Sequence, residues 1–377
     1  MSLILGTECA TAAPVPNLLQ APSVRRSPDA HRAPDTTTLQ FSITGYSGYE
    51  DDILKLLNAN RPVTMSRRWL DWRYARPPGV PAPRIFWIKY GDQPPVGMAS
   101  LIFRRYWVNG EPRDMAVLGD ISLSKKLRGQ GLGRELMEFI GRHLSTWPQH
   151  AAFVVPNSTE EGALTGTGWT TAGSLVPHVF VVDPTEKLES VMRRPWLAHS
   201  AAAVFKHLVA TGLWLSNPRK SWLQFVDDVD ESFDTFWRQF PKRNMVVRDM
   251  SQETIRWRYM RHPDSRFRIA KLMSREGLDG YMVFEVGRRD PICRIHDVIV
   301  KQPRDVRRIL TLFARHFQTM GSLNTIRLVA ADGHPYARNL WTAGFMKRPA
   351  EAVFQVRSAR GTFDQCAWHI TSGDHDV

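Results

Sequence analysis

Cysteine is scarce in this sequence. The 377 residues contain only three, Cys9, Cys293 and Cys366, and none belongs to a Cys-x-x-Cys pair or to a Cys/His cluster. Three cysteines cannot form the disulfide framework of a small secreted protein, and without such a cluster nothing predicts a zinc site or another metal centre. A reducing compartment, and therefore a cytoplasmic location, is the expectation.

Acidic residues are outnumbered by basic ones, 37 to 50, which gives a formal net charge of +13. Such a charge suggests an anionic partner, and nucleic acid, a membrane surface and a polyphosphate cofactor all fit. Positive charge on arginine is also common in soluble enzymes. Because the basic residues are dispersed and no helix-turn-helix, zinc-finger or RNP-like pattern is present, no specific nucleic-acid partner is predicted.

A targeting signal is missing from the first residues. Ser2–Gly6 is too short for the apolar core of a signal peptide, and no basic segment precedes it. From Ala10 to Thr38 the chain is rich in Ala, Pro, Ser, Thr and Arg and has almost no aromatic residues. Such a composition cannot bury enough apolar surface to order itself, so residues 1–38 are expected to be a disordered tail.

Long uninterrupted apolar runs are also missing. Pro195–Leu215 is about as long as a membrane span, but His199, Lys206 and His207 interrupt it. We interpret this segment as a connector helix that packs on its own protein. Because basic residues flank it on both sides, an interfacial helix on anionic lipid is the alternative.

Part of the sequence occurs twice. Residues 72–78 read WRYARPP and residues 257–263 read WRYMRHP, 185 positions later, with five of seven residues identical. Two further pairs match at similar offsets: Leu39–Phe41 with Leu223–Phe225, and Gly119–Leu123 with His296–Val300. Since Trp and Tyr are rare, this match indicates an internal duplication. We interpret the block as a packing motif; an acceptor groove lined by Arg73 and Tyr74 is the alternative.

Hydrophobic periodicity predicts the same order of elements in both copies. In the first copy Leu39–Tyr46 alternates like a strand, Pro83–Tyr90 and Val96–Trp107 are typical of a hairpin, and Gly131–Leu144 has the apolar face of a helix. Strands mixed with helices around one sheet indicate an α/β (α+β) fold in each copy. The predicted regions are a tail (1–38), a first domain (39–184), a connector (185–220) and a second domain (221–377).

A glycine-rich turn is the most informative segment. A predicted strand ends near Leu123, a basic turn follows, and then come Gly129-Gln130-Gly131-Leu132-Gly133 at the start of a helix. Glycines let the backbone approach a ligand, and unpaired N–H groups at a helix start favour a pyrophosphate. Neither the Gly-x-Gly-x-x-Gly pattern of dinucleotide-binding folds nor the Gly-Lys-Ser/Thr of a Walker loop is present.

The turn resembles the signature of the GCN5-related N-acetyltransferases (GNAT), Arg/Gln-x-x-Gly-x-Gly/Ala, which Arg128, Gly131 and Gly133 fill. The resemblance extends over about 39–184 and, more loosely, over 222–357. It implies tandem GNAT-like folds, each a mixed, mostly antiparallel sheet flanked by helices. It also implies an acyl-CoA-dependent N-acyltransferase, most simply an N-acetyltransferase that moves the acetyl group of acetyl-CoA to an amine.

Specific residues follow from the resemblance for the cofactor. The backbone of the turn would hold the pyrophosphate, and one strand amide would polarise the thioester carbonyl. The implied cofactor-binding residues are Ile121, Ser122, Leu123, Arg128, Gly129, Gln130, Gly131, Leu132, Gly133 and Asn157.

Two residues are implied for catalysis. Asp120, at the end of the same strand, is the predicted catalytic carboxylate that accepts the proton of the amine. A structural aspartate is the alternative, and the match between Asp120 and Asp297 in the second copy favours a shared structural role. Thr165 stands where the family often carries a tyrosine that protonates the leaving thiolate, so the acid for that step is left open.

The second copy departs from the signature. Its corresponding turn, Lys301–Arg307, has no glycine, and Pro303 lacks an N–H. We predict that this copy does not bind coenzyme A in this way and is structural or forms one wall of the acceptor site. A non-catalytic GNAT-fold scaffold or regulatory binding protein is the alternative to an enzyme. The acceptor is predicted to be a small-molecule amine, with sugars and cell-surface precursors suggested by the family; the oligomeric state is open.

Overall fold

The structure is a computed structural model, and it describes residues 39–74, 79–147, 151–192, 194–215, 221–264, 266–287, 290–321, 323–358, 363 and 365–374. Several sequence predictions lie outside the described residues: the tail over 1–38, positions 75–78 of the first repeated block, and the flanking residues Arg193 and Arg219–Lys220.

The N-terminal half follows the predicted order of elements. Its strands are β1 (Leu39–Thr44), β2 (Arg84–Tyr90), β3 (Gly97–Val108), β4 (Glu111–Leu123), β5 (Ala151–Val154) and β6 (Thr170–Val181). Its helices are α1 (Glu50–Asn60), α2 (Arg67–Tyr74), α3 (Leu132–Ser145) and α4 (Ser158–Leu164), followed by the connecting helices α5 (Thr185–Val191) and α6 (Pro195–Leu215). The predicted hairpin is confirmed, since β2 and β3 pair antiparallel.

The C-terminal half repeats much of this order. Its strands are β7 (Trp222–Val226), β8 (Met245–Arg248), β9 (Arg268–Ser274), β10 (Gly277–Val286), β11 (Ile292–Val300), β12 (Thr325–Ala331), β13 (Met346–Lys347), β14 (Ala352–Arg357) and β15 (Ala367–His369). Its helices are α7 (Glu231–Gln239), α8 (Gln252–Ile255), which continues as one wider turn through Arg256–Met260, α9 (Pro303–Met320) and α10 (Ala337–Thr342).

All these strands join one mixed sheet, whose main path runs β1-β2-β3-β4-β5-β14-β6-β12-β11-β10-β9-β7. Parallel pairs are β4 with β5, β11 with β12, and β15 with β8; the other pairs are antiparallel. The fold class is therefore confirmed: α/β (α+β), with a mostly antiparallel sheet flanked by helices. The two halves also mirror each other, because each contributes a run of strands that ends in one parallel pair.

The two halves exchange strands at the centre of this sheet. Strand β14, from the C-terminal half, lies between β5 and β6 of the N-terminal half. Strand β6 in turn pairs with β12 of the C-terminal half over seven positions. One hydrophobic cluster contains residues of both halves, including Phe153, Val329 and Phe354. Each half is therefore completed by a strand from the other.

The two long helices that follow β4 and β11 cover the sheet with their apolar faces. In α3 the predicted face is buried, and it includes Leu136, Phe139 and Ile140. Helix α9 buries Ile309, Phe313 and Phe317 in the same manner. Because each helix is fixed against the sheet, its N-terminus lies at the end of the strand that precedes it.

Helix α6 lies in the segment predicted to be a connector, and it is helical over Pro195–Leu215. Ala198 and Ala202 are buried in the protein, and α6 contacts α5 and α9. Much of the rest of the helix is exposed. No helix within the described residues is both long and apolar enough to cross a bilayer.

Candidate functional site

A cleft opens where β4 and β5 separate. The two strands pair only through Met115–Val117 and Ala151–Phe153, although β4 continues to Leu123. The space beyond is a cavity of about 770 Å³. Its walls come from β4, from the segment after β5, from α4 and from β14 of the other half. Strands that diverge in this way leave backbone groups of β4 without a neighbouring strand, and these can bind a ligand.

Asp120 lies in a bulge on β4. The pairing with β3 shifts between Met98 and Ser100, so that Asp120 and Ile121 stand opposite a single residue. Asp120 has a φ of +52°, in the left-handed region that non-glycine residues rarely adopt. The bulge turns the Asp120 side chain towards α2, and Asp120 and Ile121 both line the cavity.

The carboxylate of Asp120 is fully engaged by basic and hydroxyl groups. Arg73 Nε donates to Oδ2 at 2.7 Å, Tyr74 Oη donates to the same oxygen at 2.9 Å, and Arg61 forms an ion pair with Oδ1. Although burial opposes ionisation, the guanidinium groups of Arg73 and Arg61 hold the pKa of Asp120 below its ordinary value. A carboxylate in this setting is a weak proton acceptor, so the geometry favours a structural role.

Asp297 has the corresponding position in the other half. It is buried and accepts hydrogen bonds from Tyr259, from Arg248 at 2.5 Å and from Thr371 Oγ1 at 2.7 Å. Tyr259 belongs to the second repeated block as Tyr74 belongs to the first. The tyrosine of each block therefore donates to the aspartate of the strand before the long helix, in both halves alike.

The glycine turn follows the end of β4, and its residues are not among those that line the cavity. A short helical turn, Lys125–Leu127, leads into it, and Gly129 and Gly131 have φ values of +79° and +83°. A Cβ atom at either glycine would meet nothing within 4 Å, so there is no steric reason for glycine here. Glycine is required because the backbone is left-handed at both positions. Gly131 is the N-cap of α3, and the next residues, Leu132 and Gly133, are its first helical residues.

The backbone of this turn is available to a ligand. Within the described residues, the N–H groups from Gly129 to Gly133 meet no protein acceptor, whereas the N–H groups of Leu127 and Arg134 are bonded locally. The side chains of Lys125, Lys126 and Arg128 are exposed or nearly so. The turn therefore combines unpaired donors, a helix N-terminus and positive charge.

Two side chains brace the turn. Arg128 Nη2 donates to Asn60 Oδ1 at 2.9 Å, and its Nε donates to the carbonyl oxygen of Leu123 at 3.3 Å. Gln130 Nε2 donates to the carbonyl oxygen of Lys126 at 3.1 Å. These contacts tie the turn to the end of α1 and to β4, and so fix its shape.

The predicted strand residues lie between the turn and the bulge. Ile121 lines the cavity. Ser122 is buried, and its hydroxyl donates to the carbonyl oxygen of Leu56 at 3.4 Å. Leu123 pairs with Gly97 of β3. Of these three residues only Ile121 is in the cavity wall, and the glycine turn follows them along the chain.

Asn157 and Thr165 lie at opposite ends of α4. Asn157 lines the cavity, and its Oδ1 accepts the N–H of Glu160 at 3.0 Å while Glu160 Oε2 accepts the N–H of Asn157 at 3.0 Å. This reciprocal pair is a capping box, so Asn157 begins the helix. Thr165 is exposed, its hydroxyl donates to the carbonyl oxygen of Glu161 at 3.0 Å, and it is not part of the cavity wall.

Glu160 is a cavity residue that the sequence reasoning missed. Burial raises the pKa of its carboxyl above the ordinary value, although the Asn157 N–H acts in the opposite direction. The Asn-x-x-Glu spacing after β5 was a sequence signal for a helix start. This spacing does not show that the start of α4 faces the cleft, because the orientation of α4 depends on its packing against α3.

The corresponding cleft of the C-terminal half is filled by the chain itself. Strands β11 and β12 pair only over Ile292–Ile295 and Thr325–Leu328. Beyond that point Ser372 N–H donates to Val329 O at 3.1 Å and Gly373 N–H donates to His296 O at 2.9 Å. The segment Thr371–Gly373 thus bridges the two diverging strands, and Asp374 beyond it reaches the wall of the first cavity.

The turn before α9 also differs from the glycine turn. Pro303 is the first residue of the helix, and Asp305 lies in its first turn, where it pairs with Arg308 at 2.9 Å. A carboxylate at a helix N-terminus occupies the position that favours an anion. The second turn therefore offers fewer donors and more negative charge than the first.

Comparison with known proteins agrees with this geometry. Residues 49–157 match the family model described as Acetyltransferase (GNAT) family. A search of curated proteins found no match.

Solved structures similar to this chain share 11–13% identity with it, which shows the fold alone. A probable N-acyltransferase from Enterococcus faecalis matches with a TM-score of 0.59, 11% identity and coverage of 87% of this chain and 74% of that one. A GCN5-related N-acetyltransferase from Anabaena variabilis matches with a TM-score of 0.58, 13% identity and coverage of 85% of this chain and 73% of that one. A tandem GNAT protein from the clavulanic acid biosynthesis pathway matches with a TM-score of 0.51, 13% identity and coverage of 85% of this chain and 99% of that one.

The signature turn, the diverging strands and the family match all fall in the same part of the chain. The tandem protein shows that one GNAT-type architecture can extend over nearly the whole described chain. The part of this protein that carries the site, residues 49–157, is therefore the part that matches the GNAT acetyltransferase family.

Proposed function

We propose that this protein is an acyl-CoA-dependent N-acyltransferase, specifically an N-acetyltransferase, whose single active site is the cleft between β4 and β5. The observation that carries the proposal is the run of unpaired N–H groups from Gly129 to Gly133, in the turn that follows the cleft-lining strand β4. A scaffold would not need such a run. The acceptor is an amine, and amino sugars and amine-bearing cell-surface precursors are the first classes to test.

The residues present fit the coenzyme. The N–H groups of the glycine turn and the N-terminus of α3 would bind the pyrophosphate, with Lys125, Lys126 and Arg128 contributing positive charge. The unpaired edge of β4 at Ile121–Leu123 would hold the pantetheine arm, and one N–H there would donate to the thioester carbonyl. Acetyl-CoA supplies the acyl group that is transferred.

Glu160 is proposed as the general base. An amine must lose a proton to attack a thioester, and a base is most effective when its pKa lies near the working pH. Burial raises the pKa of Glu160 in that direction, whereas the pKa of Asp120 is held down by Arg73 and Arg61. Asp120, in this proposal, orients α2 and the bulge of β4, and so positions the strand that binds the thioester.

The acidic wall of the cavity favours a cationic acceptor. Glu160 and Glu161 line it with no ion-pair partner within the described residues. The other charged wall residues are paired: Glu351 with Arg327, Asp374 with Arg248, and both Arg61 and Arg73 with Asp120. An ammonium group would be attracted to such a wall and deprotonated within it.

Binding of acetyl-CoA to a glycine variant tests the proposal. Gly131→Glu places a carboxylate in the turn, and we expect it to abolish the thermal shift and the calorimetric signal that acetyl-CoA gives with the wild type. Gly277→Glu is the matched control, because Gly277 also has a positive φ and open space around its Cβ position. Retention of acetyl-CoA binding in Gly131→Glu would overturn the proposed site, and a wild type that binds no acyl-CoA would overturn the function.

A further inference from the structure

The exposed side of α6 is apolar over several turns. Ala201, Val204, Phe205 and Leu208 are spaced so that they share one face of the helix, and all four are exposed. Val204 is 61% exposed and Leu208 65%. We call these four residues the apolar face of α6. Surface helices normally turn such a face towards their own core, but α6 uses Ala198 and Ala202 for that purpose.

A basic groove runs beside this face. It has a volume of about 510 Å³, lies between α6 and α9, and is lined by Lys206, His207 and Arg315 together with small or neutral polar residues. No acidic side chain lines it. Lys206 bonds to Asp183 at 2.9 Å, whereas Arg315 and His207 have no acidic partner within the described residues. The sequence of α6 itself contains no Asp or Glu.

Apolar surface next to unpaired positive charge is the combination that an anionic membrane surface accommodates. The apolar side chains contact the acyl chains and the basic side chains bind the phosphate groups, while the helix lies at the surface and does not cross the bilayer. We propose that α6 is an interfacial helix that binds anionic phospholipid, with its apolar face towards the acyl chains and headgroup phosphates at Arg315 and His207 in the groove.

Charge disfavours a second copy of the chain as the occupant. A two-fold dimer through this face would bring the basic groove of one copy close to the same groove of the other copy. Cations would then face cations, which disfavours association. The net charge of +13 supports attraction to anionic lipid in the same sense.

Co-sedimentation with vesicles tests this proposal. The full chain is mixed with vesicles of phosphatidylcholine alone or of phosphatidylcholine with phosphatidylglycerol. We expect sedimentation with the phosphatidylglycerol vesicles only, and weaker binding at higher salt concentration. Leu208→Glu should weaken binding about tenfold or more, because it removes a large apolar contact. Arg315→Gln should weaken it about fivefold.

A matched control separates this proposal from binding by net charge. Trp341→Glu adds the same negative charge at an apolar side chain on α10 that is 73% exposed. The proposal requires Leu208→Glu to lose more affinity than Trp341→Glu. Equal losses, or no dependence on phosphatidylglycerol, would overturn it. The proposal would also be overturned if the wild type did not sediment with vesicles and light scattering showed a concentration-dependent dimer that Leu208→Glu abolishes.

Discussion

Trp72 stacks on Trp257, its own counterpart in the repeated block. The two ring centroids are 5.5 Å apart, with 16° between the ring planes, and Trp72 Nε1 donates to the carbonyl oxygen of Trp257 at 2.9 Å. The guanidinium of Arg104 lies 4.3 Å from the Trp257 ring centroid. The block is thus a packing motif, as the sequence predicted, and the two copies of the motif pack against each other where the halves meet.

The stability of the protein is expected to depend on this tryptophan pair. Trp72→Ala removes a buried ring and its hydrogen bond, and should lower the free energy of unfolding by about 3–5 kcal/mol. Trp72→Phe retains a ring but leaves the Trp257 carbonyl without its donor, which costs about 1–3 kcal/mol. Urea unfolding measures both. Trp341→Ala is the exposed control and should change stability by about 0.5 kcal/mol or less; a loss as large as that of Trp72→Ala would contradict the assignment.

Local features of the fold were predictable because they depend on neighbouring residues. The helix after the glycine turn was predicted over 131–144 and is found at Leu132–Ser145, with the expected face buried. Its position follows from apolar spacing and from glycines before the first turn. The tyrosine and aspartate of each half were visible in the repeat, but their contact was not, since it joins residues 46 positions apart in the first half and 38 in the second.

Non-local pairing could not be predicted in the same way. Strand β6 begins at Thr170, and its polar first residues pair with β14. Nothing in the periodicity of residues 170–174 shows that a strand from the other half will lie beside them. The role of Glu160 was missed for the same reason, since its cavity is formed by elements distant in the sequence.

Removing the charge of Asp120 should destabilise the protein. Asp120→Asn leaves the buried Arg73 guanidinium without its carboxylate, and a loss of about 3–5 kcal/mol in unfolding free energy is expected. Because the pKa of Asp120 is lower in the folded state, the stabilisation is present above the ordinary aspartate pKa and is lost as the pH falls through the lower, folded value. The difference between variant and wild type should therefore shrink in acid. A difference in denaturant midpoint that grows as the pH falls would contradict this account.

Glu160→Gln should act on the rate rather than on the fold. If Glu160 is the general base, kcat/KM for an amine acceptor should fall by about 10²–10⁴. The rate should also lose the part of its pH profile in which activity rises as Glu160 deprotonates, above the ordinary glutamate pKa. Acetyl-CoA affinity should remain close to wild type. Glu138→Gln, an exposed change on α3, serves as control, and a Glu160→Gln variant that keeps the wild-type pH profile would assign the proton to another group.

One acyl-CoA molecule should bind per chain. The N-terminal half has the glycine turn and an open cleft, whereas in the C-terminal half Thr371–Gly373 bridges the corresponding strands and Asp305 lies at the helix start. Isothermal titration of the full chain with acetyl-CoA measures the stoichiometry directly. Two sites per chain in the wild type would show that the second cleft opens to the ligand. A single site that survives in Gly131→Glu would place the cofactor in the C-terminal half, because binding there does not use the N–H groups of the first turn.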